Sequence, residues 1–149
     1  MYKIAISHDV NDADVKIIQE GLIESSKKSL GSTDFMEKSF SVLLKDENGN
    51  IHGGVLARFD LESIYIDMLW VNENSRHQGY GTTLLNAAEK EGYKLGCRYS
   101  TLDTYDFEAE AFYLKNGYER FGEIKNYWLN HSRIFLRKNL QSSSHASGK

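Results

Sequence analysis

The hydrophobic pattern changes near the middle of the sequence, and this change constrains the fold more than any other feature. An almost continuous apolar run from Ile64 to Val71 predicts a central strand buried on both faces. Residues 72–81 are polar and end in glycines, and residues 82–95 then place apolar side chains at helical spacing. Residues 98–104 form the next predicted strand. A strand, helix, strand unit of this kind predicts a parallel strand pair with a right-handed crossover.

The segments on either side of this unit predict an antiparallel meander and further helices. Ile4 and Ile6 alternate with polar neighbours, as in a short first strand. An amphipathic helix is predicted over residues 12–25, with N-capping side chains at 11–14, whereas residues 25–37 fit either a second short helix or a flexible excursion. Further strands are predicted at residues 40–44, 51–59, 118–124 and 132–137, and a helix at 107–116.

Composition narrows the class of protein. The 149 residues fit one domain over residues 1–140, followed by a serine-rich tail at 141–149 that we expect to be disordered. The 18 basic and 21 acidic residues give a net charge of −3, so a strongly basic nucleic-acid-binding surface is not expected. The sequence shows neither an apolar run long enough to cross a membrane nor a signal-peptide core. Its single cysteine, Cys97, has no partner for a disulfide and is predicted to be a buried residue that fills space in the core. A cytoplasmic protein is the expectation.

The loop at residues 76–82 carries the most chemical information. Gly79 and Gly81 allow positive φ and close approach of a ligand to the backbone. The first turn of the following helix offers free N–H groups and a partial positive charge, and Arg76 adds a cation, so the loop is a candidate phosphate cradle. An ordinary glycine-capped turn is the alternative. The loop lacks the lysine of a P-loop and the three glycines of a dinucleotide-binding fingerprint.

Two motifs then carry a resemblance. Arg76-His77-Gln78-Gly79-Tyr80-Gly81 matches the Arg/Gln-x-x-Gly-x-Gly/Ala signature of the Gcn5-related N-acetyltransferase (GNAT) superfamily. The stretch from Asp106 to Tyr118 resembles its second signature, Asn-x-x-Ala-x-x-Leu/Phe-Tyr-x-x-x-Gly-Phe/Tyr. The two motifs stand in the order and at the spacing of the family, and the stretch from Asn130 to Lys138 is similar to that of small, bacterial-type, single-domain members. The resemblance implies an α/β (α+β) fold with a mixed, mostly antiparallel sheet of six to seven strands, about four flanking helices and a splayed parallel strand pair in the middle.

The resemblance also implies an activity and a cofactor. Members of this family transfer an acetyl group from acetyl-CoA directly to a primary amine within a ternary complex. For this protein the expected acceptor is a primary amine of a small molecule. Acetyl-CoA would lie between the splayed strands, with backbone groups of Leu69 and Val71 pairing with its pantetheine arm. Arg76 opens the loop that would hold the pyrophosphate, through the backbone N–H groups of Gln78, Gly79, Tyr80, Gly81 and Thr82.

Two residues are the candidates for the chemistry. Tyr113 matches the family's tyrosine that protonates the departing thiolate, and the alternative is that it anchors a helix on the sheet. Asp67 is the first candidate for the general base, because an acidic residue within an apolar run is costly unless it is paired or functional, and strand alternation would place it on one face with Leu69 and Val71. The alternative is that Asp67 orients a neighbouring loop. The weaker candidates are Glu62, Asp103 and Glu108.

One departure from the signature affects the cofactor directly. Asp106 replaces an asparagine that contacts the pantetheine region, and an ionised aspartate accepts hydrogen bonds but cannot donate them. Because of this departure, a second hypothesis is that the protein is an acetyl-CoA-binding sensor or interaction module without transfer activity. A protein or peptide acetyltransferase is a further alternative. The five histidines show no metal-ligand spacing, so no metal is expected. The family resemblance allows a homodimer, but no residue requires one, and the acceptor cannot be read from the sequence.

Overall fold

The computed structural model describes residues 1–30 and 38–141. Two compact units make up the chain, Met1–Met36 and Glu37–Lys149. The elements in chain order are α1 (Asp12–Leu30), β1 (Ser39–Lys45), β2 (Ile51–Asp60), β3 (Ser63–Val71), a short 3-10 helix (Glu73–Ser75), α2 (Tyr80–Lys94), β4 (Tyr99–Tyr105), α3 (Glu110–Lys115), β5 (Glu119–Trp128) and β6 (His131–Asn139).

The first unit contains α1, which begins at a capping side chain. The amide of Asp14 donates to Asn11 Oδ1 at 2.8 Å, and Asn11 Nδ2 donates to Asp14 Oδ2 at 2.7 Å, as a capping residue is expected to do. The helix runs beyond its predicted end, so residues 25–30 are helical, and residues 31–37 lie outside the described chain. The strand predicted at Ile4 and Ile6 is wrong, because residues 1–10 form no regular element and two apolar residues give a strand little to bury.

The second unit is built on a six-stranded sheet of order β1-β2-β3-β4-β6-β5. Every neighbouring pair is antiparallel except β3 and β4, which are parallel. This arrangement confirms the predicted mixed sheet with a parallel pair at its centre. The described residues form three α-helices and one 3-10 helix, close to the number expected. The predicted tail from residue 142 onward lies outside the described chain.

The core lies between the sheet and α2. Leu84, Leu85 and Ala88 are buried on α2, and they belong to one apolar cluster with Val55, Ala57, Ile64, Ile66, Cys97, Leu102, Ile134 and Leu136. Gly92 allows the helix to approach β3 closely, since a Cβ at this position would lie only 2.7 Å from Ile64 Cγ2. Cys97 is free and buried, as predicted.

The last two strands form a hairpin without a glycine turn. Leu129 and Asn130 connect β5 to β6 with φ values of 45° and 65°. Positive φ at both central residues is the pattern of a tight turn matched to the twist of a hairpin. Asn126 also has a positive φ, and the register of the two strands shifts between Ile124 and Trp128. The irregular end of this hairpin borders the site described below.

Candidate active site

The parallel strands β3 and β4 lie side by side at one end and separate at the other. Three residue pairs are in register, Ser63 with Tyr99, Ile64 with Ser100 and Tyr65 with Thr101. Both strands continue beyond these pairs, to Val71 and to Tyr105, and each keeps its antiparallel partner on its other side. Residues 66–71 and 102–105 therefore border an opening, which we call the splay cleft. This opening confirms the predicted splayed strand pair.

A β-bulge begins at the point where β3 leaves β4. The pairing of β2 with β3 skips Asp67, which is the extra residue of the bulge. Beyond the bulge Leu69 and Val71 pack against the core, whereas Asp67 and Met68 are exposed. The prediction that Asp67 shares a face with Leu69 and Val71 is therefore wrong, because strand alternation fails across an extra residue.

The second half of β3 is also less buried than its composition predicted. Met68 and Trp70 keep 64% and 50% of their surface exposed. The burial on both faces that we expected for this run is therefore wrong beyond the bulge. The side chains of Ile64 and Ile66, before the bulge, are buried as expected. An apolar run alone does not reveal that, within the second unit, α2 packs on one face of the strand.

Asp67 is held by an ion pair across the sheet. Arg58 Nε on β2 donates to Asp67 Oδ1 at 3.0 Å, and the same guanidinium lies 4.7 Å from the centre of the Tyr65 ring. A bulge re-aims a side chain, and here it presents a carboxylate beside an arginine at the start of the splay cleft. The arrangement fits both a positioning role and a role in receiving a cationic amine.

The loop between β3 and α2 presents a run of free amides. His77 and Gly79 adopt positive φ values of 62° and 81°. Within the described chain, the backbone amides of residues 77–82 donate no backbone hydrogen bond, and no side chain caps the N-terminus of α2. Unpaired amides at a helix N-terminus attract anions. The loop thus brings together the predicted residues Gln78, Gly79, Tyr80, Gly81 and Thr82.

Gly81 connects this loop to the second sequence motif. A Cβ at Gly81 would meet two ring carbons of Phe112 at 3.3 Å, which is tighter than ordinary contact. The missing side chain thus lets Phe112 of α3 pack against the first turn of α2. Tyr113, the neighbour of Phe112, belongs to the same apolar cluster as Leu84 and Leu85 of α2, so it lies on the side of the sheet on which α2 packs.

Arg76 contacts the edge of the cleft. Its Nε donates to the carbonyl oxygen of Val71 at 3.0 Å. The amide of Asn72 donates to His52 on β2, and neighbouring residues of a strand direct their backbone groups to opposite edges. The backbone groups of Val71, and of Leu69 two residues earlier, therefore point toward the splay cleft.

Tyr113 is buried, with 7% of its surface exposed. Its ring makes edge-to-face contacts with Phe112 and Tyr118, at centroid distances of 5.1 and 5.6 Å. Burial raises the pKa of the Tyr113 hydroxyl to about 12, and the charge of Glu108 adds to the effect. The described chain has no buried side-chain oxygen without a partner and gives this hydroxyl no hydrogen bond, so the hydroxyl is the accessible tip of the ring. It remains protonated at neutral pH and is able to donate.

Asp106 fastens the end of β4 to the beginning of β6. Its Oδ2 accepts the amide of Ser132 at 2.9 Å, and its Oδ1 lies 2.8 Å from His131 Nδ1. These contacts, led by the Ser132 amide, hold the pKa of the Asp106 carboxyl below its usual range. The departure from asparagine thus has a structural use, because both oxygens of a carboxylate serve as acceptors here.

Of the weaker acidic candidates, Glu108 lies near enough to Tyr113 for its charge to raise the pKa of that hydroxyl, whereas Glu62 and Asp103 are paired with arginines. Glu62 lies 3.8 Å from Arg98 at the paired end of β3 and β4. Asp103 accepts a hydrogen bond from Arg133 at 2.8 Å. Glu108, which we expected on a helix face, lies in the turn before α3 and accepts from Thr104 at 3.1 Å.

Four aromatic residues lie together at the open end of β4. The rings of Tyr105, Phe107, Tyr127 and Trp128 form a continuous surface, which we call the aromatic wall. Tyr105 stacks on Phe107 at 5.4 Å, and Tyr127 and Trp128 each lie 6.1 Å from one of these two rings. The end of β4 and the hairpin carry these residues 20 to 23 positions apart in sequence, so no local spacing could have revealed the cluster.

A separate cavity of about 690 Å³ lies between α2 and the end of β6, and Asn86, Glu89, Lys138 and Gln141 are among its lining residues. It is at the opposite end of β4 from the splay cleft, beside the pair Tyr99 and Asn139. The chemistry of the free amides and Tyr113 therefore identifies the splay cleft, not this cavity, as the candidate active site. Over residues 1–30 and 38–141, no cluster of histidine, cysteine and carboxylate side chains could hold a metal, and no helix could span a membrane.

Comparison with known proteins identifies the family. Residues 15–118 match the model of the acetyltransferase (GNAT) family. The chain therefore belongs to the GNAT family of acetyltransferases.

Three similar proteins are also acetyltransferases. Blasticidin-S acetyltransferase of Streptomyces morookaense is 33% identical over 82 residues, which are 54% of this chain and 60% of that protein. Acetyltransferase Atu2258 of Agrobacterium fabrum is 27% identical over 117 residues, or 78% and 84% of the two chains. The crystal structure of an acetyltransferase from Bacillus cereus superposes with a TM-score of 0.76 at 32% identity, covering 91% of this chain and 98% of that one. The match to the first of these spans less than two thirds of that relative's length.

Proposed function

We propose that the chain is an acetyl-CoA-dependent N-acetyltransferase that transfers an acetyl group directly to a primary amine of a small molecule. The observation that carries the proposal is the splay cleft with a run of free amides at its mouth and a protonated tyrosine on the same side of the sheet. Each of these features matches one part of acetyl-CoA: the pantetheine arm, the pyrophosphate and the thiol.

The free amides of residues 77–82 are the proposed pyrophosphate site. Six N–H groups and the positive end of α2 would meet two phosphate groups, with no carboxylate in the first turn of the helix to oppose them. Arg76 uses one donor on Val71 and keeps four N–H donors for a phosphate oxygen.

The strand edge of the splay cleft is the proposed pantetheine site. The amide groups of a pantetheine arm can pair with the backbone of Leu69 and Val71 as another strand would. Pairing would place the thioester carbonyl near the bulge, where β3 turns away from β4. Backbone N–H groups there would polarise the carbonyl toward the attacking nitrogen.

Tyr113 is the proposed donor to the leaving group. The amine nitrogen forms a bond to the thioester carbon, the carbon–sulfur bond breaks, and the electron pair leaves on the thiolate. A hydroxyl with a pKa of about 12 is fully protonated at neutral pH, so a hydrogen bond from Tyr113 would stabilise that charge as it develops. An ammonium substrate loses two protons in all: the first leaves before the attack and gives the neutral amine, and the second, released as the amide forms, balances the thiol.

Asp67 is the proposed acceptor of the amine's proton, directly or through a water molecule. Its carboxylate is accessible, with 35% of the side chain exposed, and it lies at the bulge where the acceptor must approach. A negative charge at this point also favours the arrival of an ammonium group. The ion pair with Arg58 would keep the carboxylate in place during this step.

A small acceptor is supported by two observations. The relative with 33% identity is named for acetylation of blasticidin S, a small molecule. The acidic net charge of −3 suits a cationic amine. The contacts of Asp106 with β6 also weaken the case for a sensor without activity, since they give the departure from the family signature a structural reason.

The test is a coupled assay of free thiol with acetyl-CoA and a panel of primary amines, beside calorimetry with acetyl-CoA alone. We expect acetyl-CoA to bind and at least one small amine to release CoA well above the buffer rate. Binding without turnover on any amine or peptide would favour a sensor. Turnover on peptides alone would favour a protein acetyltransferase.

A further inference from the structure

We propose that the aromatic wall binds a planar ring of the acceptor, so that amines carrying such a ring are preferred over purely aliphatic amines. The inference rests on the proposed function and specifies the substrate class of the same site. It is carried by the position of the wall, its exposure and the groups that hold its rings in place.

The wall begins at the edge of the splay cleft. Tyr105 is the last residue of β4 and lies four positions beyond Thr101, the last residue that pairs with β3. Leu102 and Thr104 are buried on the core face of β4, so strand alternation directs Tyr105 and Asp103 to the opposite face. That face is also the one to which the bulge directs Asp67, since Leu69 packs toward the core. The wall and the proposed base therefore share a face.

The wall leaves a large aromatic surface accessible. Phe107, Tyr127 and Trp128 keep 48%, 45% and 54% of their surface exposed. Adjacent exposed rings of this kind mark a binding surface more often than isolated apolar side chains do. The nearly parallel stack of Tyr105 on Phe107, with an interplanar angle of 11°, shows how a further flat ring could pack in the same way.

Polar contacts hold the wall in one arrangement. His131, which is bound to Asp106, meets the Phe107 ring edge-on at 4.6 Å. Arg133 donates to the hydroxyl of Tyr127 at 3.0 Å and to Asp103 at 2.8 Å. Rings that are already ordered lose little entropy when a ligand stacks on them.

The charge at the wall favours a neutral ring over a second cation. The Arg133 guanidinium lies 5.2 Å from the centre of the Tyr127 ring and already makes the cation–π contact that this face offers. A polyamine would bring a further positive charge close to Arg133, whereas a planar uncharged ring would not. The aromatic wall therefore favours acceptors that carry an uncharged planar ring, and Asp67 contacts the amine group of the same acceptor.

The experiment compares kcat/KM for two primary amines, tryptamine and hexylamine, in wild type, Trp128→Leu and Trp128→Phe. We expect Trp128→Leu to lower kcat/KM for tryptamine about five- to tenfold, mainly through KM, because one aromatic contact is lost. Hexylamine should change by less than about twofold, and Trp128→Phe should retain most of the tryptamine activity. Phe121→Leu is the matched control, since Phe121 is an aromatic residue of β5, 55% exposed, outside the wall.

Several results would overturn the inference and leave the proposed function intact. These are equal losses on both amines, a rise in the KM of acetyl-CoA in place of tryptamine, or a wild-type enzyme that uses hexylamine as well as tryptamine. Trp128→Leu could also unfold at a lower temperature than Phe121→Leu. In that case the test is the ratio of kcat/KM for tryptamine to kcat/KM for hexylamine in Trp128→Phe, which we expect to equal the wild-type ratio. Failure of every amine and peptide to release CoA would instead remove the proposed function.

Discussion

At the end where β3 and β4 pair, which we call the closed end, polar side chains form a buried hydrogen-bonded network. At the splayed end, which we call the open end, the same two strands leave their facing backbone groups without strand partners. Ser100 lies 2.7 Å from the hydroxyl of Tyr118, which donates to Glu89, and Glu89 also accepts from Lys138 at 2.6 Å. Burial, followed by the charge of Glu89, raises the pKa of Tyr118, so this hydroxyl stays a donor. Polar groups satisfied within the protein stabilise one end, and groups left open at the other are suited to a ligand.

Loss of the Tyr113 hydroxyl should have the largest effect, and only at the open end. We expect Tyr113→Phe to lower kcat by about 100-fold or more, because the leaving thiolate loses its donor. The dissociation constant of acetyl-CoA should change little, since the ring and its contacts with Phe112 and Tyr118 remain. Steady-state kinetics and calorimetry on the same preparation measure both. Parallel losses of turnover and binding would assign Tyr113 to packing.

Loss of a cation should act on the closed end alone. Lys138→Met leaves the buried Glu89 carboxylate with the Tyr118 hydroxyl as its remaining partner. We expect the free energy of unfolding to fall by about 2 kcal/mol, below the cost of breaking a fully buried pair because Lys138 is partly exposed. Denaturant unfolding measures this change, and kcat should stay near the wild-type value.

Lys90→Met is the control for that substitution, since Lys90 is exposed on α2 one residue beyond Glu89. It should change the free energy of unfolding by less than about 0.5 kcal/mol. Equal effects of the two substitutions would show that the Lys138 contact adds nothing beyond general surface charge. A large loss of turnover in Lys138→Met would contradict the independence of the two ends.

The features that could be predicted from the sequence are those encoded by neighbouring residues, and the features that could not are those formed by long-range contacts. The strand β3, the loop with two glycines and α2 are encoded locally within about 30 residues and were predicted correctly, whereas the splay of β3 from β4 was predicted only from the family resemblance. The bulge at Asp67 has no local signature, so the face of Asp67 was predicted wrongly. The network around Glu89 joins residues up to 49 positions apart, and the aromatic wall depends on a hairpin that turns without glycine. Such long-range contacts have no periodic pattern to read.

Backbone strain at a single glycine should distinguish the loop from an ordinary turn. Gly79 and Gly49 have φ values of 81° and 84°, and neither has an atom within 4 Å of an added Cβ. Alanine at either position should cost about 1 kcal/mol of stability, because both require the left-handed conformation. Only Gly79→Ala should raise the KM of acetyl-CoA, about fivefold, since it disturbs amides proposed to bind the pyrophosphate. An equal rise of this KM in Gly49→Ala would contradict the assignment.

The smallest effect concerns pH and the hairpin that carries the wall. The pKa of Asp106 is lowered in the folded chain, chiefly by the amide of Ser132, from an unfolded value of 3.8. A lowered folded pKa means that the stabilisation is complete above the unfolded pKa and is lost as the pH falls through the folded pKa. Asp106→Asn should therefore flatten the decline of unfolding free energy below about pH 4, measured by denaturant titration.

Asp46 supplies the comparison for this last prediction, because a hydrogen bond with His52, the largest cause, lowers the pKa of Asp46 at the β1–β2 turn. Asp46→Asn should also flatten the decline of the unfolding free energy at acidic pH, but it should not alter the preference for tryptamine near pH 4. Asp106→Asn should alter that preference at low and neutral pH alike, because the substitution changes the contact with His131 that positions Phe107. An identical decline of the unfolding free energy at acidic pH in wild type and Asp106→Asn would show that the carboxylate does not support the hairpin, and the wall would then owe its order to Arg133 and Tyr127.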